Sequence, residues 1–227
     1  MATQTALIIG AGNGLSASLA RLFAGEGMQV ALAARNPDKL SALCAQTKAT
    51  AYPCDVADAA QVNALFQAMD QQLGHLDIVV FNPSQRVRGP VAEINPDEVK
   101  QALLVSCFGG FLVAQAAAQR MLKRGSGSIL LTGATAGVKG FANSASFAMG
   151  KFGLRGLAQS MARELSPQGI HVAHFVVDGS IRKSGDDPGD DDRLDPDAIA
   201  RSYLEVHRQH RSAWSWELEL RPWIERF

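Results

Sequence analysis

A glycine-rich segment near the start of the chain has the residue types and spacing that bind phosphate. An apolar run over residues 5–9 leads into the segment, and a helical pattern follows. The segment is Gly10-Ala11-Gly12-Asn13-Gly14-Leu15-Ser16. Glycines permit a tight turn and a close approach to a pyrophosphate, and the following helix directs its free N–H groups at the anion. A purely structural turn is the alternative, but the strand before and the helix after favour nucleotide binding.

A basic residue follows the second apolar run. Residues 29–33 are followed by Ala34 and then by Arg35. In dinucleotide-binding folds this point distinguishes the cofactors, because a carboxylate holds the 2′-hydroxyl of NAD and a guanidinium holds the 2′-phosphate of NADP. Ala34 stands where an acid would be, so Arg35 is suited to a phosphate. The alternative is a solvated surface arginine.

Short apolar runs alternate with longer helical patterns along the whole chain. The predicted strands are residues 5–9, 29–33, 50–53, 76–81, 128–132, 171–177 and 216–220. The predicted helices lie near residues 14–25, 37–46, 59–73, 96–124, 143–166 and 196–209. This alternation indicates a Rossmann-type, doubly wound parallel α/β sheet of about seven strands in three layers. We expect one NAD(P)-binding domain over residues 1–227.

The composition is that of a globular protein and argues against several partners. The 227 residues are 47% hydrophobic, carry zero formal net charge and contain no run of lysine or arginine, so no nucleic-acid partner is expected. No run of about 18 apolar residues occurs, so no membrane span is expected, and the strand beginning at Thr5 leaves no room for a signal peptide. Cys44, Cys54 and Cys107 have no metal spacing and are interpreted as reduced thiols of a cytoplasmic protein. A catalytic cysteine is the alternative, although no paired base is evident nearby.

One acidic segment interrupts the alternation. Residues 184–192 are rich in aspartate, glycine and proline, and they predict a flexible, solvated loop within a substrate-loop region of about residues 180–197. A calcium site is the alternative, but the spacing does not match an EF-hand loop, so we predict no metal. Because the loop follows the sixth strand, it should form part of the mouth of the site. Its charge there disfavours anionic substrates.

These features resemble the short-chain dehydrogenase/reductase family along the whole chain. That family carries TGxxxGxG at the glycine-rich turn. This chain has Ile9 for the threonine, keeps Gly10 and Gly14, and has Ser16 at the last glycine. The resemblance implies a nicotinamide cofactor. Arg35 is similar to the arginine of NADP-preferring members, so NADP(H) is favoured over NAD(H).

The resemblance also implies cofactor contacts after three further strands. The positions after the third strand would meet the adenine, those after the fourth occupy the place of the family's NNAG, and those after the sixth lie near the nicotinamide. They are Asp55 and Val56, then Asn82, Pro83 and Ser84, then Gly179 and Ile181. Pro83 departs from the family's alanine and removes an amide donor from that turn.

The positions that carry catalysis in the family are changed in this chain. The resemblance aligns Ser106 with the family's asparagine, Ala134 with its serine and Phe147 with its tyrosine, and only the lysine, Lys151, is kept. A phenol can donate a proton and a benzene ring cannot. The family's lysine grips the nicotinamide ribose and lowers the pKa of the tyrosine, so only the ribose contact is implied here. A solvated helix lysine is the alternative.

Three residues are candidates for the missing proton donor: Ser144, Thr135 and Lys151. Ser144 is also a candidate helix cap. The two tyrosines, Tyr52 and Tyr203, belong to other predicted elements and cannot be realigned to the site. A positioned donor is worth about 10²–10⁴-fold in rate, so its loss predicts weak or atypical catalysis.

Two functions therefore remain open. The first is an NADP(H)-dependent oxidoreductase that acts on a small carbonyl or alcohol of unknown identity. The second is a non-catalytic NADP(H)-binding protein, either a sensor or a partner subunit. The family further implies a homodimer or homotetramer. The three tryptophans within residues 214–223 are interpreted either as part of a subunit interface or as packing inside the chain.

Overall fold

The centre of the molecule is a sheet of seven parallel strands. A computed structural model describes residues 3–183 and 191–224. The strands are β1 (Thr5–Ile9), β2 (Gln29–Ala34), β3 (Thr50–Pro53), β4 (Ile78–Phe81), β5 (Gly127–Thr132), β6 (Ile170–Val177) and β7 (Glu217–Leu220). Their order is β3-β2-β1-β4-β5-β6-β7, and neighbouring strands are parallel throughout. The direction of winding reverses between β1 and β4, so the predicted Rossmann-type fold is confirmed.

Helices cover both faces of the sheet. They are α1 (Leu15–Gly25), α2 (Ser41–Thr47), α3 (Ala59–Gln72), α4 (Pro96–Leu103), α5 (Gly109–Arg124), α6 (Ala145–Leu165) and α7 (Pro196–His207). Capping side chains fix several of the starts. Asn95 accepts hydrogen bonds from the N–H groups of Asp97 at 2.8 Å and Glu98 at 3.4 Å, ahead of Pro96 in the first turn of α4.

Two predicted helices are interrupted in the structure. The single helix expected over residues 96–124 contains a π-helical turn, Leu104–Phe108, between α4 and α5. A π turn inserts one residue within an otherwise continuous helix, and the sequence analysis predicted one unbroken helix here. The helix expected over residues 37–46 begins instead as a 3-10 turn, Pro37–Leu40, and continues as α2.

Alternating side chains of the strands feed two separate hydrophobic cores. On β1, Leu7 and Ile9 join the core beneath α3, α5 and α6, while Ala6 and Ile8 join the core beneath α1 and α7. A strand directs successive side chains to opposite faces, so a strand covered on both faces reads as a continuous apolar run. The double burial of the central strands fixes their carboxyl ends, where the candidate site lies.

The segment Pro96–Arg124 has the length and the apolar composition of a membrane-spanning helix. It is 29 residues long, and its most apolar window has a mean hydropathy of 1.6, which suffices by length and composition for a membrane span. Half of that window is buried inside the protein, and Val113 and Ala117 belong to the core beneath α5. Packing against the sheet accounts for this composition.

Two of the tail tryptophans pack inside the chain. The Trp214 ring stacks on His171 with centroids 4.6 Å apart, and Trp216 packs against the core. Trp223 is exposed. The intrachain interpretation therefore holds for the first two. Of the predicted acidic loop, residues 184–190 lie outside the described residues.

Candidate functional site

Two cavities lie at the carboxyl ends of the central strands, where the strand order reverses. Open α/β sheets bind ligands at this point. The glycine-side cavity has a volume of about 790 Å³ and is lined by residues 10–13. The lysine-side cavity has a volume of about 640 Å³ and is lined by Phe147 and Lys151. Asn82 and Ser84 line both, so the two cavities share a wall.

The glycine-rich turn is held by backbone contacts that require its first glycine. Gly10 has a φ of +80°, and a Cβ there would lie 2.6 Å from the nitrogen of Pro83. The N–H groups of Gly10 and Ala11 both donate to the Ala33 carbonyl at 2.9 Å. A Cβ at Gly12 would meet no atom within 4 Å. The backbone at Gly12 is therefore open to the cavity, as a phosphate-binding turn requires.

Ser16 connects this turn to the end of β4. Its hydroxyl donates to the Gly10 carbonyl at 3.1 Å and accepts from the Asn82 amide at 2.8 Å. Gly14 and Leu15, at the start of α1, place the helix N-terminus behind the turn. Sequence reasoning treated Ser16 only as a substitute for a glycine. The structure gives its side chain a role in positioning both the turn and Asn82.

Two cations lie on the wall of the glycine-side cavity next to β2. Arg35 and Lys39 are both exposed and line this cavity, together with Ala34. Lys39 was not among the predicted residues, although it lies four residues after Arg35. Arg35 is exposed to solvent and also lines the cavity, so both interpretations of this arginine stay predictions. A phosphate at this wall would meet two positive charges.

The predicted adenine contacts also line the glycine-side cavity. Asp55 and Val56 follow β3. The carboxylate of Asp55 accepts from the N–H of Ala57 at 3.0 Å, and the Asp55 N–H donates to the Gln61 side chain at 2.9 Å. These bonds fix the turn before α3. Cys54 lines the cavity as well. Burial raises the pKa of its thiol to about 11, so the thiol stays protonated and unreactive at neutral pH.

The predicted nicotinamide-side residues line the lysine-side cavity. Gly179 and Ile181 follow β6 on its wall. Gly179 has a φ of +141°, and a Cβ there would lie 2.9 Å from the Pro222 ring. Pro83 lines the other cavity and lies against Gly10, which explains how a proline fits at this turn.

Lys151 is a buried cation rather than a solvated one. Its side chain is almost completely enclosed, and Nζ donates to the Thr132 carbonyl at 2.7 Å. Burial, aided by the positive charge of Arg86, lowers the pKa of Lys151 to about 8. On β6, burial lowers the pKa of His174 to about 4, so this neighbour is neutral at pH 7. An ammonium with such a pKa can exchange a proton near neutral pH.

The three positions that the resemblance aligned with the family's asparagine, serine and tyrosine differ in where they lie. Phe147 and Ala134 line the lysine-side cavity, and Lys151 Nζ is 5.9 Å from the centroid of the Phe147 ring. Ser106 does not line it. Its hydroxyl is buried in the π turn, where it accepts from the Gln85 N–H at 2.9 Å and donates to the Gln85 carbonyl at 3.2 Å.

The structure also shows which of the candidate replacement donors have their hydroxyls in other hydrogen bonds. The Thr135 hydroxyl donates to the Asp178 carboxylate at 2.5 Å, so its proton is already used in a hydrogen bond. Ser144 is the N-cap residue of α6, but its side chain makes no capping hydrogen bond, and it lines the cavity. Tyr203 is buried in the core beneath α7, with its hydroxyl 2.9 Å from Thr132 Oγ1. Among the predicted donors, Ser144 and Lys151 are left for the cavity.

Two arginines on the cavity wall were missed by sequence reasoning. Arg86 and Arg88 both line the lysine-side cavity, in the segment between β4 and α4. The guanidinium carbon of Arg86 lies 3.9 Å from the centroid of the Phe147 ring. The available signal was an arginine at two alternate positions directly after the segment 82–84. That signal alone does not predict a site, because the sequence of an irregular segment does not show which way its side chains point.

The chain belongs to the short-chain dehydrogenase family. The family model described as "short chain dehydrogenase" matches residues 4–181. An uncharacterised oxidoreductase of Staphylococcus aureus strain N315 is 29% identical over 225 residues, which are 96% of this chain and 97% of the relative. A D-threitol dehydrogenase of Mycolicibacterium smegmatis is 30% identical over 174 residues, 74% of this chain and 67% of the relative.

Solved structures agree with this membership. A short-chain dehydrogenase from Rhodopseudomonas palustris is 36% identical with a TM-score of 0.87, and the match covers 98% of this chain and all of that one (100%). A metagenomic short-chain oxidoreductase in complex with NADP is 27% identical with a TM-score of 0.85, over 96% of this chain and 97% of that one. The fold that carries the glycine-rich turn and the two adjoining cavities is therefore that of the short-chain dehydrogenases.

Proposed function

We propose that the protein is an NADP(H)-dependent oxidoreductase that acts on a small carbonyl or alcohol by an atypical mechanism. The observation that carries this proposal is the shared wall between the two cavities, formed by Asn82 and Ser84. A dinucleotide extending from one cavity would reach the other, where a buried lysine lies. Relatives described as oxidoreductases and a D-threitol dehydrogenase support the reaction class.

The glycine-side cavity fits the nucleotide part of NADP(H). The open backbone at Gly12 and the N-terminus of α1 suit a pyrophosphate, while Arg35 and Lys39 suit a 2′-phosphate. No acid takes the place of Ala34 to hold a ribose hydroxyl. The structure of a relative with NADP supports the same choice. We therefore favour NADP(H) over NAD(H).

The residues of the lysine-side cavity would orient the reacting groups. A bound nicotinamide supplies or accepts the hydride. Lys151 would hold the ribose and, with its lowered pKa, could hold or release a proton at Nζ. Ser144 offers a hydroxyl to the same space, whereas Phe147 and Ala134 offer none. Because the donor is not the usual phenol, we expect slow turnover.

The first test is a fluorescence titration of the purified protein with NADPH and with NADH. We expect micromolar binding of NADPH and binding of NADH weaker by at least about tenfold, which corresponds to one charge-assisted contact. Replacing Arg35 and Lys39 together by methionine should abolish the preference. The exposed helical Arg201, changed to methionine, is the matched control. Equal binding of both cofactors would contradict the NADP proposal, and no binding of either would contradict the function.

A second function, a non-catalytic NADP(H)-binding sensor or partner subunit, is favoured by the side chains at three positions. Ser106 faces away from the cavity, and Ala134 and Phe147 cannot donate a proton. The double variant Phe147→Tyr with Ala134→Ser discriminates between the two functions, and NADPH consumption with a panel of carbonyl compounds is the measurement. Turnover present in the natural protein supports the oxidoreductase. Turnover that appears only in the double variant supports the binder.

We further propose a cytoplasmic protein that forms a homodimer or homotetramer and has no nucleic-acid, membrane or metal partner. An apolar face on α4 and α5, with exposed Phe108 and Phe111, supports association between copies. Size-exclusion chromatography with light scattering tests this. A monomer at micromolar concentration would contradict it.

A further inference from the structure

The segment between β4 and α4 is held by two buried serines. Ser106 makes hydrogen bonds with both the N–H and the carbonyl of Gln85, at 2.9 and 3.2 Å. Ser146, in the first turn of α6, does the same with Val87, at 3.0 and 2.9 Å. Each hydroxyl thus fixes the backbone of one residue in an otherwise irregular segment.

The residues next to these fixed points are Arg86 and Arg88. The segment is fixed a third time just beyond them, where the N–H of Gly89 donates to the Asn143 carbonyl at 3.2 Å. Both arginines consequently project from a constrained backbone, and both line the lysine-side cavity. Constrained groups lose less conformational freedom when they bind a ligand.

The Phe147 ring provides a surface for one of the two guanidinium groups. Arg86 lies over its face with 3.9 Å between the guanidinium carbon and the ring centroid. A cation over an aromatic face is stabilised by the ring quadrupole, and arginine stacks well because it is planar. A residue that cannot donate a proton can therefore still serve the cavity by orienting Arg86.

The two arginines have no anionic partner in the described part of the chain. Arg120, Arg155 and Arg208 each form an ion pair with a carboxylate. Neither Arg86 nor Arg88 does, and no described residue lining the cavity is an aspartate or glutamate. Burial lowers the pKa of Arg86, and the like charge of Arg88 lowers it further. An anion between them would relieve that repulsion.

We propose that the lysine-side cavity takes a carbonyl substrate that bears a carboxylate or phosphate group, and that Arg86 and Arg88 bind this group. The carbonyl part of this proposal rests on the proposed oxidoreductase function, whereas the anion part does not. The acidic composition of residues 184–192 predicted the opposite preference. The described wall of the cavity is cationic instead, with Lys151 as its third positive charge.

The test is isothermal calorimetry with three phenyl compounds of similar size. Benzoate and phenyl phosphate carry the two anionic groups, and benzamide is the neutral counterpart of benzoate. Each is titrated into the protein with and without saturating NADP⁺. We expect both anions to bind at least about tenfold more tightly than benzamide, as charge-assisted bonds to guanidinium imply. The anion that binds more tightly shows whether the cavity prefers a carboxylate or a phosphate group.

Variants assign the effect to the two arginines. Arg86→Met with Arg88→Met should weaken benzoate binding about tenfold or more and leave the NADPH affinity within about twofold. Phe147→Leu keeps both charges and removes the ring, so it should weaken benzoate about threefold. Arg163→Met, on the exposed side of α6, is the matched control. Circular dichroism verifies that each variant is folded.

Two results would overturn the proposal. One is equal binding of benzoate and benzamide by the natural protein. The other is a double variant that loses NADPH affinity and keeps benzoate affinity, which would make the arginines cofactor ligands. Failure of the proposed function has a different signature, because anion binding without NADP⁺ is measured independently of any NADPH affinity.

Discussion

The glycine-side and lysine-side cavities share a wall but differ in what holds their ligands. In the first, the key groups are backbone N–H groups, a left-handed glycine and a helix N-terminus. In the second, the candidate groups are side chains, and those of Phe147 and Ala134 have no proton to donate. Backbone recognition needs only that the chain folds, whereas proton transfer needs a particular side chain. A protein can therefore keep its dinucleotide site while its chemistry changes.

Side chains at several positions where the resemblance implied departures from the family make structural contacts. The Phe147 ring supports Arg86, and the Ser106 hydroxyl fixes Gln85. Ser16, in place of a glycine, links the turn to Asn82. The lysine-side cavity therefore has its own set of side-chain contacts, in which Phe147 and Ser106 take part. The following experiments test how far the two cavities really differ.

The largest effect is expected at Gly10 in the glycine-side cavity. A valine there would adopt a left-handed φ and meet Pro83, so Gly10→Val should lower the free energy of unfolding by about 3 kcal/mol or more and abolish NADPH binding. Urea unfolding followed by circular dichroism measures the loss. Gly25→Ala is the matched control, because a Cβ at Gly25 meets no atom within 4 Å. Equal stability of the two variants would show that the turn tolerates a side chain.

Lys151 provides an intermediate effect with a defined pH dependence. Its folded-state pKa is lowered to about 8 from 10.5, so the unfolded chain holds the proton more tightly between these values. The stability contributed by this group therefore rises between about pH 8 and 10.5, by roughly 3 kcal/mol. Burial is the main cause of the lowered pKa, and the charge of Arg86 adds to it, while the nearby His174 is neutral at these pH values.

The variant Lys151→Met isolates that dependence. At pH 7 it should be about 1 kcal/mol more stable than the natural protein, because an incompletely paired buried charge is removed while the Thr132 carbonyl loses one donor. The advantage should disappear between about pH 8 and 9 and become a deficit of roughly 2 kcal/mol near pH 10.5. NADPH binding should be weakened throughout. The exposed Lys123→Met is the control. A stability difference that does not change with pH would contradict the lowered pKa.

The smallest effects are expected at the two serines. Ser106→Ala and Ser146→Ala each remove two hydrogen bonds to the segment that carries the arginines, and each should cost about 1 kcal/mol. Hydrogen exchange at the Gln85 and Val87 amides should accelerate in the corresponding variant. Ser202→Ala is the control, since that hydroxyl contacts only a carbonyl of its own helix. Unchanged exchange at both amides would mean that other contacts fix the segment.

Much of the glycine-side cavity could be predicted from sequence because its information is local. The apolar run of β1, the glycines after it and Arg35 after β2 are adjacent in the chain, and each has a direct physical meaning. The start of α4 at Pro96 was predicted for the same reason.

The lysine-side cavity depends on contacts between distant residues, so sequence reasoning described it less well. The direction of Arg86 is set by Ser106 and Ser146, which belong to other elements. Thr135 was a candidate donor, but its hydroxyl donates to Asp178, forty-three residues away in the chain. Local patterns contain neither fact, because both arise from tertiary packing.

The wall that the cavities share has a thermodynamic consequence. Asn82 and Ser84 face both spaces, and Asn82 is tied through Ser16 to the glycine-rich turn. If a ligand in one space shifts this wall, the affinity of the other space changes, and the influence is reciprocal by the same factor. Cofactor and substrate would then be heterotropic effectors of one another. The order in which they bind would follow from one short segment of backbone.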